Sequence, residues 1–283
     1  MQARVSRMQM IRLLGVAALF ALHAAGAAAQ DLDMRDTPTG ALDQEQAFAY
    51  SQAAVGRTLG DYRFRDRQDQ TLSLSELTGR PLVISLIYTS CYHTCPMVTS
   101  HLAKVVKVAR DALGQNSFTV LTVGFDAPVD TPDRMRIFAA QRNIHDPDWY
   151  FLSGDTDTIE RLSRDLGFLF VSSPKGFDHL IQSTIVDASG KVYRQVYGEV
   201  FQAPLLVEPL KELLYGKAAA TSVVDRLMNN VRLICTVYDP STGLYHFDYS
   251  LFVGIGVGLL SLGAIAAFIV HAWRGSKPPV TRA

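Results

Sequence analysis

The sequence predicts an α/β domain joined to a single membrane-crossing helix, and three observations carry that reading. Residues 82–88, 118–125 and 149–152 are short apolar runs rich in β-branched and aromatic residues, the pattern of strands buried on both faces. Between them lie longer segments in which apolar residues recur at helical spacing. Residues 249–270 hold no charge, and about 22 residues at about 1.5 Å each cover roughly 33 Å, enough to cross a hydrocarbon core.

Taken in order, residues 62–66 alternate like an edge strand, and residues 73–77 read as a short helical turn before Gly79. The strand at 82–88 is broken by Thr89 and Ser90. Pro96 then fits a first helical turn, where a missing N–H costs nothing. Met97, Leu102, Val105, Val106 and Ala109 form the apolar stripe of that helix, with Lys104, Lys107 and Arg110 on its wet side. After the strand at 118–125 comes a helix over 130–143, capped by Asp130 or Thr131, then the strand at 149–152. A helix over 156–166 takes Asp155 as its N-cap. Residues 180–186 and 191–197 flank Asp187-Ala188-Ser189-Gly190 and read as an antiparallel hairpin, followed by a last helix over 204–215. Alternating strands and helices closed by a hairpin make an α/β sandwich of the thioredoxin type over residues 55–215.

Both ends carry targeting signals. Arg4, Arg7 and Arg12 precede an apolar run at 13–22 that is too short to span, and Ala27-Ala28-Ala29 offers an A-x-A cleavage site before Gln30. Residues 1–29 are therefore expected to be a secretory signal peptide. Residues 30–54 are polar, with Pro38 and Gly40, and read as a flexible leader. Residues 216–248 form a juxtamembrane stretch, either a linker or an amphipathic helix centred on the helical pattern of 218–233. The span is placed at 249–271 and the tail at 272–283. Arg274, Lys277 and Arg282 follow it, so the tail belongs in the cytoplasm and the main domain in the periplasm, facing out from a bacterial inner membrane. With 27 Lys and Arg against 27 Asp and Glu, the formal charge is zero, and nothing marks a nucleic-acid surface.

The chemistry concentrates where the first buried strand turns into a helix. Cys91 and Cys95 lie there, and the partial positive charge of a helix N-terminus favours thiolate over thiol. Their Cys-x-x-x-Cys spacing is one residue longer than that of dithiol oxidoreductases. It permits a stabilising disulfide, an exchanging dithiol, or a two-sulfur chelate for a soft metal. A strand-to-helix switch is where α/β folds bind and react, which weighs against a purely structural bridge.

The segment Tyr88-Thr89-Ser90-Cys91-Tyr92-His93-Thr94-Cys95-Pro96 resembles the signature of the Sco/SenC family, thioredoxin-like copper-binding proteins of cytochrome oxidase assembly. Asp178-His179, ahead of the run at 180–187, matches the family's Asp-His dipeptide, and residues 124–131 resemble its Asp-Pro-x-x-Asp-Thr segment. Tyr92 departs from the Pro that many members carry, and the Asp126 segment lacks the usual Glu-Arg pair. The resemblance implies a copper metallochaperone, with Cys91, Cys95 and His179 as copper ligands, serving the CuA centre of the copper-bearing oxidase subunit. Two thiolates and an imidazole suit Cu(I) as a trigonal set and Cu(II) with an added fourth ligand. The alternatives are a thiol–disulfide oxidoreductase using Cys91 and Cys95 on the target's cysteines, or a copper or redox sensor acting through a membrane partner.

Around this set, Asp178 is a candidate to orient the imidazole, and Asp126 to tune the thiols or meet a partner. His93 lies between the cysteines and is a competing ligand or a solvated side chain. His101 is expected on the helix surface, and His145 in a loop. Cys235, near the membrane, is either a reactive thiol or an inert one.

Overall fold

The structure is a computed structural model that describes residues 42–216 and 236–275. A seven-stranded sheet runs through the domain in the order β2-β1-β5-β4-β3-β8-β9. These strands are β1 (Arg63–Asp66), β2 (Thr71–Ser73), β3 (Leu82–Ile87), β4 (Thr119–Gly124), β5 (Trp149–Ser153), β8 (Gln182–Val186) and β9 (Val192–Tyr197). β3, β4 and β5 are parallel, while β8 pairs antiparallel to β3 and β1 antiparallel to β5. The apolar runs at 82–88 and 118–125 become the two innermost strands, and every residue of β3 and β4 is buried. The helices are α1 (Gln44–Ala53), α2 (Leu74–Leu77), α3 (Thr94–Leu113), α4 (Pro132–Gln141), α5 (Thr156–Leu166) and α6 (Pro204–Tyr215).

Local chemistry sets most boundaries. Asp155 accepts the Thr158 N–H at 2.7 Å and starts α5, which Gly167 ends at φ 64°. Of the two candidate caps for α4, Thr131 takes the role and Pro132 fills the first turn. Arg110, assigned to the wet side of α3, is instead 4% exposed: it pairs with Asp146 and donates to the carbonyls of Gln115 and Phe118. A buried guanidinium with its donors satisfied is tolerated where a lone charge would not be.

Besides the short β2, one helix and two hairpins escape the sequence pattern. Part of the expected leader is α1, which buries only Ala47 and Ser51 and so shows no apolar stripe. It is held instead by polar links, among them Ser51 Oγ to Gln182 Oε1 at 2.8 Å, and by Phe48 against Tyr197. A small hairpin, β6 (Phe170–Ser173) and β7 (Gly176–His179), stands apart from the main sheet. A second, β10 (Thr236–Asp239) and β11 (Leu244–Phe247), occupies part of the expected linker and packs Tyr238 and Tyr245 against the core. The helical pattern at 218–233, Cys235 and the expected signal peptide lie outside the described residues. Beyond β11, α7 (Ser250–Gly275) contains 23 residues, Phe252–Arg274, long and apolar enough to cross a membrane.

Candidate functional site

The site forms at the C-terminal end of β3, where the central strand emerges between β4 and β8. The loop that follows is pinned by one carboxylate. Asp130, fully buried, accepts the Thr89 N–H at 2.8 Å and the Thr89 hydroxyl at 2.7 Å through Oδ1. Its Oδ2 accepts the Asp126 N–H at 2.9 Å, so the loops after β3 and β4 are clipped together. Gly124 makes room for it, because any Cβ there would overlap the Asp130 side chain. Burial pushes the Asp130 carboxyl above its ordinary value, and the hydrogen bonds from Thr89 and Asp126 counter that only in part.

Cys91 and Cys95 are both free thiols, and their environments differ sharply. Cys91 is half-buried, and its sulfur accepts the Cys95 N–H at 3.3 Å. Burial raises its pKa, but the hydrogen bonds from Cys95, His93 and Tyr88 outweigh burial and hold it below the usual thiol value. Cys95 is only 3% exposed, and burial drives its thiol well upward, with the neighbouring Cys91 and Asp130 adding to the rise. The expectation that the helix terminus favours both thiolates therefore holds for Cys91 alone. At Cys95 desolvation is the larger effect.

His179 closes β7, opposite Phe170 in the small hairpin. Its Nδ1 lies 2.8 Å from the Leu180 carbonyl. A carbonyl can only accept, so Nδ1 carries the proton and Nε2 keeps its lone pair. The ring is packed among Phe168 at 5.2 Å, Phe125 at 5.4 Å and Tyr88 at 6.3 Å between centroids. Burial in this aromatic box lowers the imidazole pKa and keeps it neutral, the form that ligates metals.

These groups share walls. A cleft of about 400 Å³ is lined by Tyr88, Cys91, Thr94, Phe177, His179 and neighbours. A smaller pocket behind it is lined by Cys95 and His179 among others. His179 thus fronts both sulfurs, although 84 to 88 residues separate it from them in the chain. Among the described residues, no three His, Cys, Asp or Glu side chains already converge as a metal site.

The remaining candidates sort differently. Asp178 is exposed where it lines the cleft, and the Leu180 carbonyl, not Asp178, takes the imidazole N–H. In a strand, successive side chains face opposite ways, so Asp178 stays exposed while its neighbour His179 is more deeply buried. Asp126 is half-buried and raised by burial, but it contributes its backbone N–H to Asp130 and does not line the cleft. His93 and Tyr92 are exposed, Tyr92 at 93%. His101 is not on the surface: its ring is half-buried, stacks edge-on with Phe201 and bonds that residue's backbone. His145 lies in its loop against Asn143. The sequence reading missed Tyr88 as a site residue, the clip made by Asp130, and the box of Phe125, Phe168, Phe170 and Phe177. The alternation of Phe168 and Phe170 close to His179 was the one available signal.

A parallel three-strand core with a dithiol at its strand-to-helix turn defines a thioredoxin-like dithiol protein. Residues 51–214 match the SCO1/SenC family, which is more than half of the 283 residues, and the chain belongs to that family. It is 25% identical over 142 residues to the SCO1 protein homolog of Bacillus subtilis, covering 48% of this chain and 72% of that protein. Among solved structures, a putative electron transfer protein from Aquifex aeolicus superposes with a TM-score of 0.52 at 25% identity, over 56% of this chain and 92% of that one. Bradyrhizobium japonicum ScoI, solved with copper bound, aligns at 21% identity and a TM-score of 0.47, over 56% of this chain and 99% of that one.

Proposed function

We propose that Cys91, Cys95 and His179 together bind one copper ion, and that the chain delivers it to the CuA centre of a cytochrome c oxidase. The observation that carries this reading is the presentation of His179. Its imidazole is neutral, its Nδ1 is occupied by Leu180, and it fronts the pockets of both sulfurs. Two sulfurs and one imidazole form a soft donor set that suits copper better than a four-ligand structural zinc. Membership of the SCO1/SenC family supports the same role. Cys91 is the first sulfur to engage, being accessible and the more acidic. Cys95 gives up its proton only as the metal's charge offsets the cost of burying a thiolate, so binding releases protons.

On this reading α7 anchors the domain in a bacterial inner membrane, with the copper site in the periplasm and the tail in the cytoplasm. A membrane-embedded oxidase subunit then meets it at high effective concentration without a tight interface. The test compares His179→Ala with Cys95→Ser for oxidase assembly in cells and for copper bound to the purified full-length chain. Both variants should lose copper and assembly. A His179→Ala protein that still assembles oxidase would remove copper carriage from the account.

A second reading is favoured by the asymmetry of the thiols. The Cys91 thiolate attacks a disulfide in the target, forming a mixed disulfide and releasing one target thiol. Cys95 then loses its proton and displaces the second target thiol, leaving a Cys91–Cys95 disulfide that an external dithiol must reduce. This chemistry requires no histidine, so the His179→Ala variant separates the two readings.

A further inference from the structure

Another cavity, of about 430 Å³, lies between α3 and the loop that joins α4 to β5. It shares no lining residue with the cysteine pockets. Its first α3 residue is Ala103, eight positions beyond Cys95 and so about 12 Å along the helix. Part of the wall is apolar, made by Ala103, Val106, Ile144 and Trp149. Three carboxylates also line it, and each is already answered by a cation. Asp111 pairs with Lys107 at 2.8 Å, Asp146 with Arg110 at 2.9 Å, and Asp148 with Arg80. Arg142, on the same wall, is the cation left over, with no ion pair among the described residues.

Local structure accounts for only part of this guanidinium. It stacks on the Phe138 ring, 3.4 Å from the centroid, and its Nη1 donates to the Phe138 carbonyl at 2.6 Å. That bond answers a carbonyl in the last turn of α4, where a cation is favoured. Nε, however, is buried without a hydrogen-bond partner, and Nη2 donates to none of the described residues. A half-buried charge without a counter-charge is costly, and an anion in the cavity would offset that cost. The neighbouring amide leans the same way. His145 Nε2 donates to Asn143 Oδ1 at 2.7 Å, which leaves the Asn143 NH₂ group to donate elsewhere.

We propose that this cavity binds a small organic acid, its carboxylate on Arg142 and Asn143 and its carbon body against Val106, Ile144 and Trp149. Guanidinium is the side chain best matched to a carboxylate. The volume falls within the about 300–1,000 Å³ of small-molecule sites, and the apolar part of the wall favours an organic acid over inorganic phosphate.

The experiment titrates full-length protein in detergent with benzoate, and in parallel with inorganic phosphate, following the ligand by NMR. Wild type should bind benzoate saturably below about 10 mM. Arg142→Gln should weaken that binding about tenfold or more, because it removes a charge-assisted hydrogen bond. Ala103→Leu, which fills the cavity from the α3 wall and keeps a good helix former, should weaken it as well and guards against a misfolded Arg142→Gln. Cys91→Ser should bind benzoate as wild type does, so the result stands or falls apart from the copper reading. An arginine that only caps α4 would lower the thermal midpoint of Arg142→Gln and leave benzoate affinity in place. No saturable binding by wild type would overturn the proposal, as would unchanged affinity in folded Arg142→Gln or in Ala103→Leu. Phosphate binding more tightly than benzoate would overturn the assignment to an organic acid.

Discussion

Lys211 Nζ donates to the carbonyl of Thr236 at 2.7 Å, fastening the β10–β11 hairpin to α6. Lys211 is only 5% exposed, and its charge is answered by Glu208 at 3.1 Å, which also accepts the Tyr245 hydroxyl at 2.8 Å. The chain just before α7 is therefore docked on the domain, not left as a free linker over the whole of 216–248. Removing the amine leaves the Thr236 carbonyl without its donor and Glu208 with only the Tyr245 hydroxyl, at a cost of about 2 kcal/mol. Lys211→Met should speed hydrogen exchange of the β10 and β11 amides by about tenfold or more. Unchanged protection would mean that the tyrosines alone hold the hairpin.

Asp130 sets the position of the cysteine loop, and its loss should be felt both there and in global stability. Asp130→Ala leaves the N–H groups of Thr89 and Asp126 without acceptors. The expected cost is about 3 kcal/mol, read as a lower urea midpoint. Copper affinity should fall in the same variant, because the Thr89–Cys91 loop is no longer clipped. A stability within about 0.5 kcal/mol of wild type would show that the two loops hold each other without the carboxylate.

The buried imidazole makes the metal-free fold sensitive to mild acid. Burial lowers the pKa of His179 below the ordinary imidazole value of about 6.5. Between that value and the lower folded one, the unfolded chain binds more protons than the native chain. Stability contributed by His179 is therefore present above about pH 6.5 and falls as pH drops through this window. Asp130 works in the opposite sense, since its raised pKa favours the native state as pH falls toward the carboxylate range. A comparison at pH 7 and pH 5.5 isolates the histidine. Wild type should lose more stability than His179→Gln over this interval, and equal losses would place the acid sensitivity elsewhere.

The two thiols should react in a fixed order. Cys91 is half-exposed and acidified by the Cys95 N–H, whereas Cys95 is buried and held protonated. Iodoacetamide at about pH 7.5 should modify Cys91 at least tenfold faster in the reduced, metal-free chain. Peptide mass mapping over time would show it. Equal rates would mean that α3 opens at its first turn faster than alkylation proceeds.

Much of this protein was determined by its sequence alone, and the reason is local. The α5 helix over Thr156–Leu166 follows from Asp155 and the apolar period, and β3 and β4 follow from unbroken apolar runs. The placement of Cys91 and Cys95 at a strand-to-helix turn needed only their immediate neighbours. What the tertiary structure decided depends on contacts between distant segments. The α1 helix binds the sheet through Ser51 and Gln182, 131 residues apart, and leaves no stripe to read. Thr89 and Asp130 are joined across 41 residues, so the pattern around Asp130 showed a helix cap where the fold built a clip. The split between an acidic Cys91 and a protonated Cys95 is a matter of desolvation, which no spacing encodes. His179 was legible as a residue but not as a geometry: among the described residues its strand pairs only with β6, and its imidazole becomes neutral because rings from three other parts of the chain exclude water around it.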